Sequence, residues 1–332
     1  MDGNVITVEE YFIKTTLNIG VMFEMKQTIY MIGYSMRWHH SIHLIDYLKT
    51  IEDVIILDYT IKDLKKETPS IYSIEIDRPA IVFVFQLNVR VRIIKTISDH
   101  LIKVVNYNAE TYYSPGCMNP DYLICAYPEM IAKYKKMNPT VFDHVRKYGM
   151  IPIFVDPERF DYECEKFNIG IHFKGMLDVK MGDKMDRNGG GHFRLYRDAY
   201  KERKEFMIDC FSLITYGDPD HKSNYDQWLS TVEAIITSNA YMSYFSKRPL
   251  EACAAGAINI LHVRDTYEKT YLEEFGFKHL ENCIFARNRY DLTIFHILDE
   301  EKKESIRENA LKLLLDNYTP EKFWEKVMEF IK

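Results

Sequence analysis

Residues 234–263 read AIITSNAYMSYFSKRPLEACAAGAINILHV. The run EAIITSN, starting at Glu233, is apolar and β-branched as a buried strand requires, and INILHV at 258–263 is a second such run. Between them RPLEACAAGA reads as a helix. Pro249 suits its first turn, where a missing N–H is no loss, and the small residues from Ala252 to Gly256 allow close packing. Strand, loop, helix and strand in this order form the repeating unit of a parallel α/β sheet. The helix would begin at the C-terminal edge of that sheet, where free backbone N–H groups and the helix dipole favour a polar or anionic ligand. Glu251, in its first turn, is placed to accept two hydrogen bonds from a ribose diol. The same position also suits a carboxylate that only offsets the helix dipole.

The flanking sequence repeats the rhythm. NIGIHFKGML at 168–177 reads as a strand, MGDKMDRNGGG as a loop, FRLYRDAYKERKEFMIDCF as a helix and SLITYGD as a strand. From 299 to 332 two helices are expected, the second starting at TPEKFWEKV with Thr319 as its N-cap. On the N-terminal side, strands are expected at 29–36, 53–60, 78–88, 102–108 and 121–127, with helices at RWHHSIHLIDYLKTI, VRVRIIKTISDHL and PEMIAKYKK. KYGMIPIFVDPERF at 147–160, with two prolines, is the expected crossover between domains. The fold class is therefore α/β, with two Rossmann-like, doubly wound parallel-sheet domains and a C-terminal helical tail. Their limits are read as 1–27 for an accessory segment, 28–155 and 156–318 for the domains, and 319–332 for a helix crossing back to the first.

A chain of 332 residues is long enough for two domains. Its 43 Lys and Arg against 49 Asp and Glu leave a formal charge of -6, which argues against a general grip on nucleic-acid backbone as the main function. A local basic groove stays open, so a nucleic-acid acceptor does too. No uncharged apolar run reaches the length of a membrane span, and no secretory signal is visible at MDGNVITVEEYFIKTT. The six cysteines have neither CxxC spacing nor histidines at zinc-ligand spacing, so a reduced, cytoplasmic chain is expected.

Arg248, Glu251, Ala252, Ala254 and Gly256 stand in the order R-x-x-E-A-x-A-x-G. The stretch resembles the nucleotide-sugar site of group 1 glycosyltransferases with the GT-B fold, especially those related to spore-maturation-type glycosyltransferases. FVDPERF, HFKGML and GFKHLENCIFARNRYDL resemble the hinge, the first C-domain strand and the closing elements of that family. The resemblance implies a metal-independent transfer of a sugar from a nucleoside-diphosphate sugar to a hydroxyl acceptor in an interdomain cleft, with no further cofactor. It implies that Glu251 holds the donor ribose. The relatives' second acid, eight positions earlier, is Ser243 here.

A leaving diphosphate asks for cations. Arg203 matches the family's arginine best, whereas helical spacing puts Arg194, Arg197, Lys201 and Lys204 on one face. Arg203 and then Lys204 are the candidates, with Arg248, Ser246, Lys247 and the strand-closing Gly175 completing the donor set. A solvated helix with interleaved Glu202 and Glu205 accounts for the same cations. The candidate bases are Glu110, His39 and His40, at strand ends of the first half, with Asp99 and His100 also weighed. Asp218 and Asp220 have the D-x-D form by which GT-A enzymes hold a divalent ion, which would make the transfer metal-dependent. A nucleotide-sugar epimerase, or a noncatalytic nucleotide-sugar-binding protein, would use many of the same donor contacts.

Overall fold

A computed structural model of the chain describes residues 28–34, 40–59, 72–85, 91–108, 117–126, 131–132, 135, 139–174, 192–216, 225–238 and 246–332. The chain divides into two compact units, one comprising the residues up to Pro152 together with Phe323–Lys332, the other Ile153–Lys322.

In the first unit β1 (Thr28–Tyr34) pairs in parallel with β2 (Asp53–Tyr59), and helix α1 (His40–Ile51) makes the crossover. β3 (Tyr72–Ile76) and β5 (Val91–Lys95) form a separate parallel pair. The main sheet is completed by β4 (Ala80–Phe85), β6 (Ile102–Asn108), β7 (Tyr122–Cys125) and β8 (Lys147–Met150), in the order β2-β1-β4-β6-β7-β8, parallel throughout. β4, AIVFVF, is buried along its whole length, as a central parallel strand covered on both faces must be.

The structure corrects three expectations. Instead of a helix over residues 89–101, Val91–Lys95 is β5 and only Asp99–Leu101 turns, as a 3-10 helix. Val91 and Ile93 are buried while Arg92 is exposed, a two-residue period that β-branched residues favour. Its partner β3 is absent from the sequence reading because Ile74 and Ile76, both buried, are the only aliphatic residues of YSIEI. Finally, KYGM of the expected crossover is the sheet's sixth strand.

The second unit repeats the scheme. β9 (Asn168–Phe173), β10 (Ile214–Tyr216), β11 (Val232–Ser238), β12 (Ile258–His262) and β13 (Ile284–Ala286) are parallel in the order β10-β9-β11-β12-β13. Helices α2 (His192–Asp209), α3 (Tyr225–Ser230), α4 (Arg248–Ala254), α5 (Thr266–Glu274), α6 (Arg289–Ile297) and α7 (Glu300–Asn317) accompany them. Phe173, Met207, Ile236, Ile260, Leu292 and Ile306 are among the residues of its core.

Helix α8 (Pro320–Ile331) begins after Thr319, whose hydroxyl accepts the Lys322 N–H, and returns the chain to the first unit. Phe323 and Trp324 pack edge-on against Phe83, and Phe323 against Tyr107. Lys103 and Lys147 donate to the carbonyls of Ile331 and Phe330, at the end of the helix where positive charge is favourable. Gly149 makes room for this seat, since a Cβ there would stand 2.6 Å from the Phe330 ring.

Candidate functional site

Parallel α/β sheets bind ligands at the C-terminal ends of their strands. In the second unit the described residues at that edge include Lys174 after β9, Tyr216 closing β10, Ser238 closing β11, His262 closing β12 and Ala286 closing β13, with the start of α4 beside them.

Helix α4 is held in place by buried polar bonds. The Asn259 side chain on β12 donates to the Pro249 carbonyl in the first turn and accepts from Thr237 on β11, so the helix start is tied to two strands at once. Arg248 donates to the Lys174 carbonyl. At its other end, Gly256 N bonds to Cys253 O and Ala257 N to Ala252 O, the paired bonds of a Schellman stop. Gly256 has φ 65°, and a Cβ there would meet Tyr162 Cδ2 at 3.0 Å and the Tyr162 carbonyl at 3.1 Å. The last residue of the R-x-x-E-A-x-A-x-G pattern is thus a stop signal, and its alanines are packing residues, all buried.

Glu251 is buried within this frame, its side chain only 2% exposed. Lys247 Nζ lies 2.9 Å from its Oε1 as an ion pair, and Oε1 receives no hydrogen bond from the described residues. The Tyr225 hydroxyl lies close to the carboxylate, and burial together with the Glu251 charge pushes that phenol well above its ordinary range. Lys174 Nζ sits over the rings of Trp228 at 4.8 Å and Tyr225 at 5.2 Å. Three cations, Lys174, Lys247 and Arg248, therefore accompany one carboxylate. Helix α4 spans only seven residues, so these side chains, rather than the helix dipole expected from the sequence, supply most of the local positive charge.

A second group occupies the ends of β11 and β12. Arg203, from α2, is buried and donates to the Ser238 carbonyl. The Ser238 hydroxyl and His262 Nδ1 are 2.9 Å apart, and the imidazole stacks on Phe206 with ring centroids 3.9 Å apart. Burial, then the charges of Arg264 and Arg203, push His262 down to about 3, so it is neutral at physiological pH. Arg264 makes a bidentate pair with the fully buried Glu268, Nη2 to Oε1 at 3.0 Å and Nε to Oε2 at 3.1 Å, while its backbone N–H bonds the same acid.

The sequence-predicted residues divide accordingly. Glu251, Arg248, Lys247 and Ser246 come together at the start of α4, and Arg203 reaches the edge from α2. Lys204 and Lys201 are exposed on α2, with Lys201 3.8 Å from Glu205. Asp99 and His100 form a turn that precedes β6, which puts them at the opposite, N-terminal edge of their sheet and removes the case for them as bases. His39, Glu110, Gly175, Gly189–Gly191, Asp218, Asp220 and Ser243 lie outside the described residues, as do the side chains of His40, Arg194 and Arg197. Sequence reasoning missed Lys174, Tyr225, His262 and Arg264. Three of these directly follow or close an apolar strand run or open a helix, and Arg264 with Glu268 has i,i+4 spacing, so strand-end polarity was the available signal.

No protein-family model matches the sequence, and no curated protein does. Solved structures are similar across nearly the whole chain. One is a glycosyltransferase from Rickettsia africae ESF-5, 13% identical, with a TM-score of 0.50 over 92% of this chain and 98% of the other. Another is the N-terminal domain of the Candida albicans trehalose-6-phosphate phosphatase, 9% identical, with a TM-score of 0.50 over 97% and 98%. At such identities the likeness establishes the fold, two Rossmann-like units of GT-B type with a C-terminal helix.

Proposed function

We propose that the chain is a glycosyltransferase that moves a sugar from a nucleoside-diphosphate sugar to a hydroxyl acceptor without a metal ion. The observation that carries this reading is the buried Glu251 carboxylate, set at a sheet's C-terminal edge among Lys174, Lys247 and Arg248. A buried acid beside three cations fits a ligand that offers hydroxyl donors and diphosphate charge side by side, as a nucleoside diphosphate does. The order R-x-x-E-A-x-A-x-G supports kinship with spore-maturation-type glycosyltransferases. Six free cysteines, five of them buried, suit a reducing cytoplasmic setting.

In this mechanism the bond between the anomeric carbon and the diphosphate oxygen breaks, and the nucleoside diphosphate leaves with the electron pair. Lys174, Lys247, Arg248 and Arg203 meet the charge that develops on it, each charge-assisted hydrogen bond contributing about 1.5–3 kcal/mol. Arg203, which is buried and reaches the Ser238 carbonyl, is preferred to the exposed Lys204. The acceptor oxygen bonds to the anomeric carbon and gives its proton to a base from the first unit, for which Glu110, His39 and His40 are the proposed residues. His262 is not assigned that part, because a ring that titrates near pH 3 holds a proton too weakly.

The test is release of nucleoside diphosphate from a panel of sugar donors with and without EDTA. Release that survives chelation is expected. Strict dependence on a divalent ion would overturn the metal-free reading in favour of Asp218 and Asp220. Binding of nucleotide with no turnover on any donor and acceptor would make the chain a binding protein instead.

A further inference from the structure

We infer that Lys247 is an exchange cation. Without ligand its ammonium holds the buried carboxylate of Glu251; a nucleoside diphosphate draws the ammonium onto its phosphates and leaves the carboxylate to the ribose hydroxyls. The inference rests on the proposed donor site and concerns how the parts of that one ligand are coupled.

The geometry of the pair points this way. Glu251 is almost wholly buried whereas the Lys247 side chain is 27% exposed, so only the lysine can leave for solvent or ligand without the backbone moving. The 2.9 Å contact is a charge contact only, and among the described residues none gives Oε1 a hydrogen bond. A buried carboxylate oxygen in that state is an acceptor waiting for a donor. The Tyr225 hydroxyl lies close to the same carboxylate and would help hold it in position while the lysine moves. The ammonium is a point charge on a four-carbon stem with rotatable donors, well suited to changing partners. The neighbouring Arg264–Glu268 pair shows the contrast: two guanidinium bonds and one backbone N–H hold Glu268, and that pair has no free acceptor to offer.

Such an exchange makes phosphate and ribose binding mutually supportive. A nucleoside without phosphates must displace the ammonium and leave it without a partner, whereas a diphosphate supplies one. Binding at the two parts of the ligand is therefore coupled through a single residue. Lys247 acts here through Glu251 as a positioning residue as well as a phosphate contact.

Calorimetric titration of the full chain and of Lys247→Met and Lys247→Arg with UDP, GDP, ADP, the matching nucleosides and inorganic pyrophosphate tests the idea. Wild type should bind its preferred nucleoside diphosphate at least about a hundredfold more tightly than the nucleoside. In Lys247→Met the diphosphate should weaken by about tenfold while the nucleoside tightens, because its competitor is gone; Lys247→Arg should restore the diphosphate affinity. Parallel loss of both affinities would make Lys247 a structural prop and overturn the exchange. Loss for the diphosphate with an unchanged nucleoside would make it a simple phosphate ligand and overturn it equally. No binding of any nucleotide or nucleoside by the folded wild type would sink the donor reading itself, and binding that Glu251→Gln leaves unchanged would do the same.

Discussion

The second sheet carries a buried acid–lysine pair at each end, and the two differ in how completely they are satisfied. At the N-terminal edge, Glu233 Oε2 accepts the Gly170 N–H at 2.6 Å and Oε1 accepts Lys303 Nζ at 2.9 Å, while Lys303 also bonds Glu300. Those hydrogen bonds and the Lys303 charge together hold the Glu233 carboxyl below its usual range despite burial. The first unit does the same at its own N-terminal edge, where Asp121 accepts the Val104 N–H at 2.8 Å and both oxygens bond Lys95. At the C-terminal edge, Lys247 Nζ and Glu251 Oε1 are as close, yet among the described residues no backbone N–H donates to that carboxylate oxygen and Oε1 stays without a hydrogen bond. Pairs that fasten strands together are saturated. The unsaturated one stands where a parallel sheet takes its ligands.

The largest expected effect breaks the saturated pair. Glu233→Ala leaves the Gly170 N–H and a mostly buried Lys303 short of a partner, and should cost about 3–5 kcal/mol, read as a fall in the urea midpoint of the second unit. If it unfolds no earlier than wild type, saturation of that pair contributes nothing to stability and the contrast between the two edges fails. Glu251→Ala should instead act mainly on the ligand, weakening nucleoside diphosphate binding by about 3 kcal/mol, roughly a hundredfold. An unchanged affinity by calorimetry would take the central residue out of the proposed site.

A smaller effect separates charge from burial at the same edge. His262 is driven neutral in the fold but takes up a proton near pH 6.5 when unfolded, so the unfolded state binds more protons between those values. Stability contributed by the neutral ring is complete above about pH 6.5 and is lost as pH falls toward about 3. By pH 5 the loss should reach about 2 kcal/mol. His262→Phe should remove that part of the slope when denaturation is followed at several pH values, and an unaltered slope would show that the ring is solvated. Smaller again, Gly256→Ala forces a side chain into a left-handed backbone against Tyr162, a cost of about 1–2 kcal/mol in thermal denaturation. It should shift α4 enough to weaken nucleotide binding without touching the ligand.

Much of the fold was legible in residues 234–263, because an apolar strand, a Pro at a helix start and a Gly at its stop are local signals that agree with the tertiary packing. The small parallel pair β3–β5 was not, since its strands share no continuous apolar run and are recognisable only once Ile74 and Ile93 face one core. The site was half legible. Glu251 and its flanking cations lie within five residues of one another, whereas Tyr225 and Arg203 reach the same edge from separate helices, which no spacing rule records. The helical wheel grouped Lys201 and Lys204 by face but could not say which face looks inward; the buried Phe206 and Met207 decide that for Arg203.

The returning helix α8 also sets an order of events during synthesis. Phe83 and Tyr107 are made early, but the rings of Phe323 and Trp324 that cover them follow only after the entire second unit has been translated. A nascent first unit must therefore hold an uncovered aromatic face in the crowded surroundings of the ribosome while its neighbour folds ahead of it. Cutting the chain after Lys322 should reproduce that immature state in a test tube, and a separate peptide carrying Phe323–Lys332 should be the natural reagent to heal it.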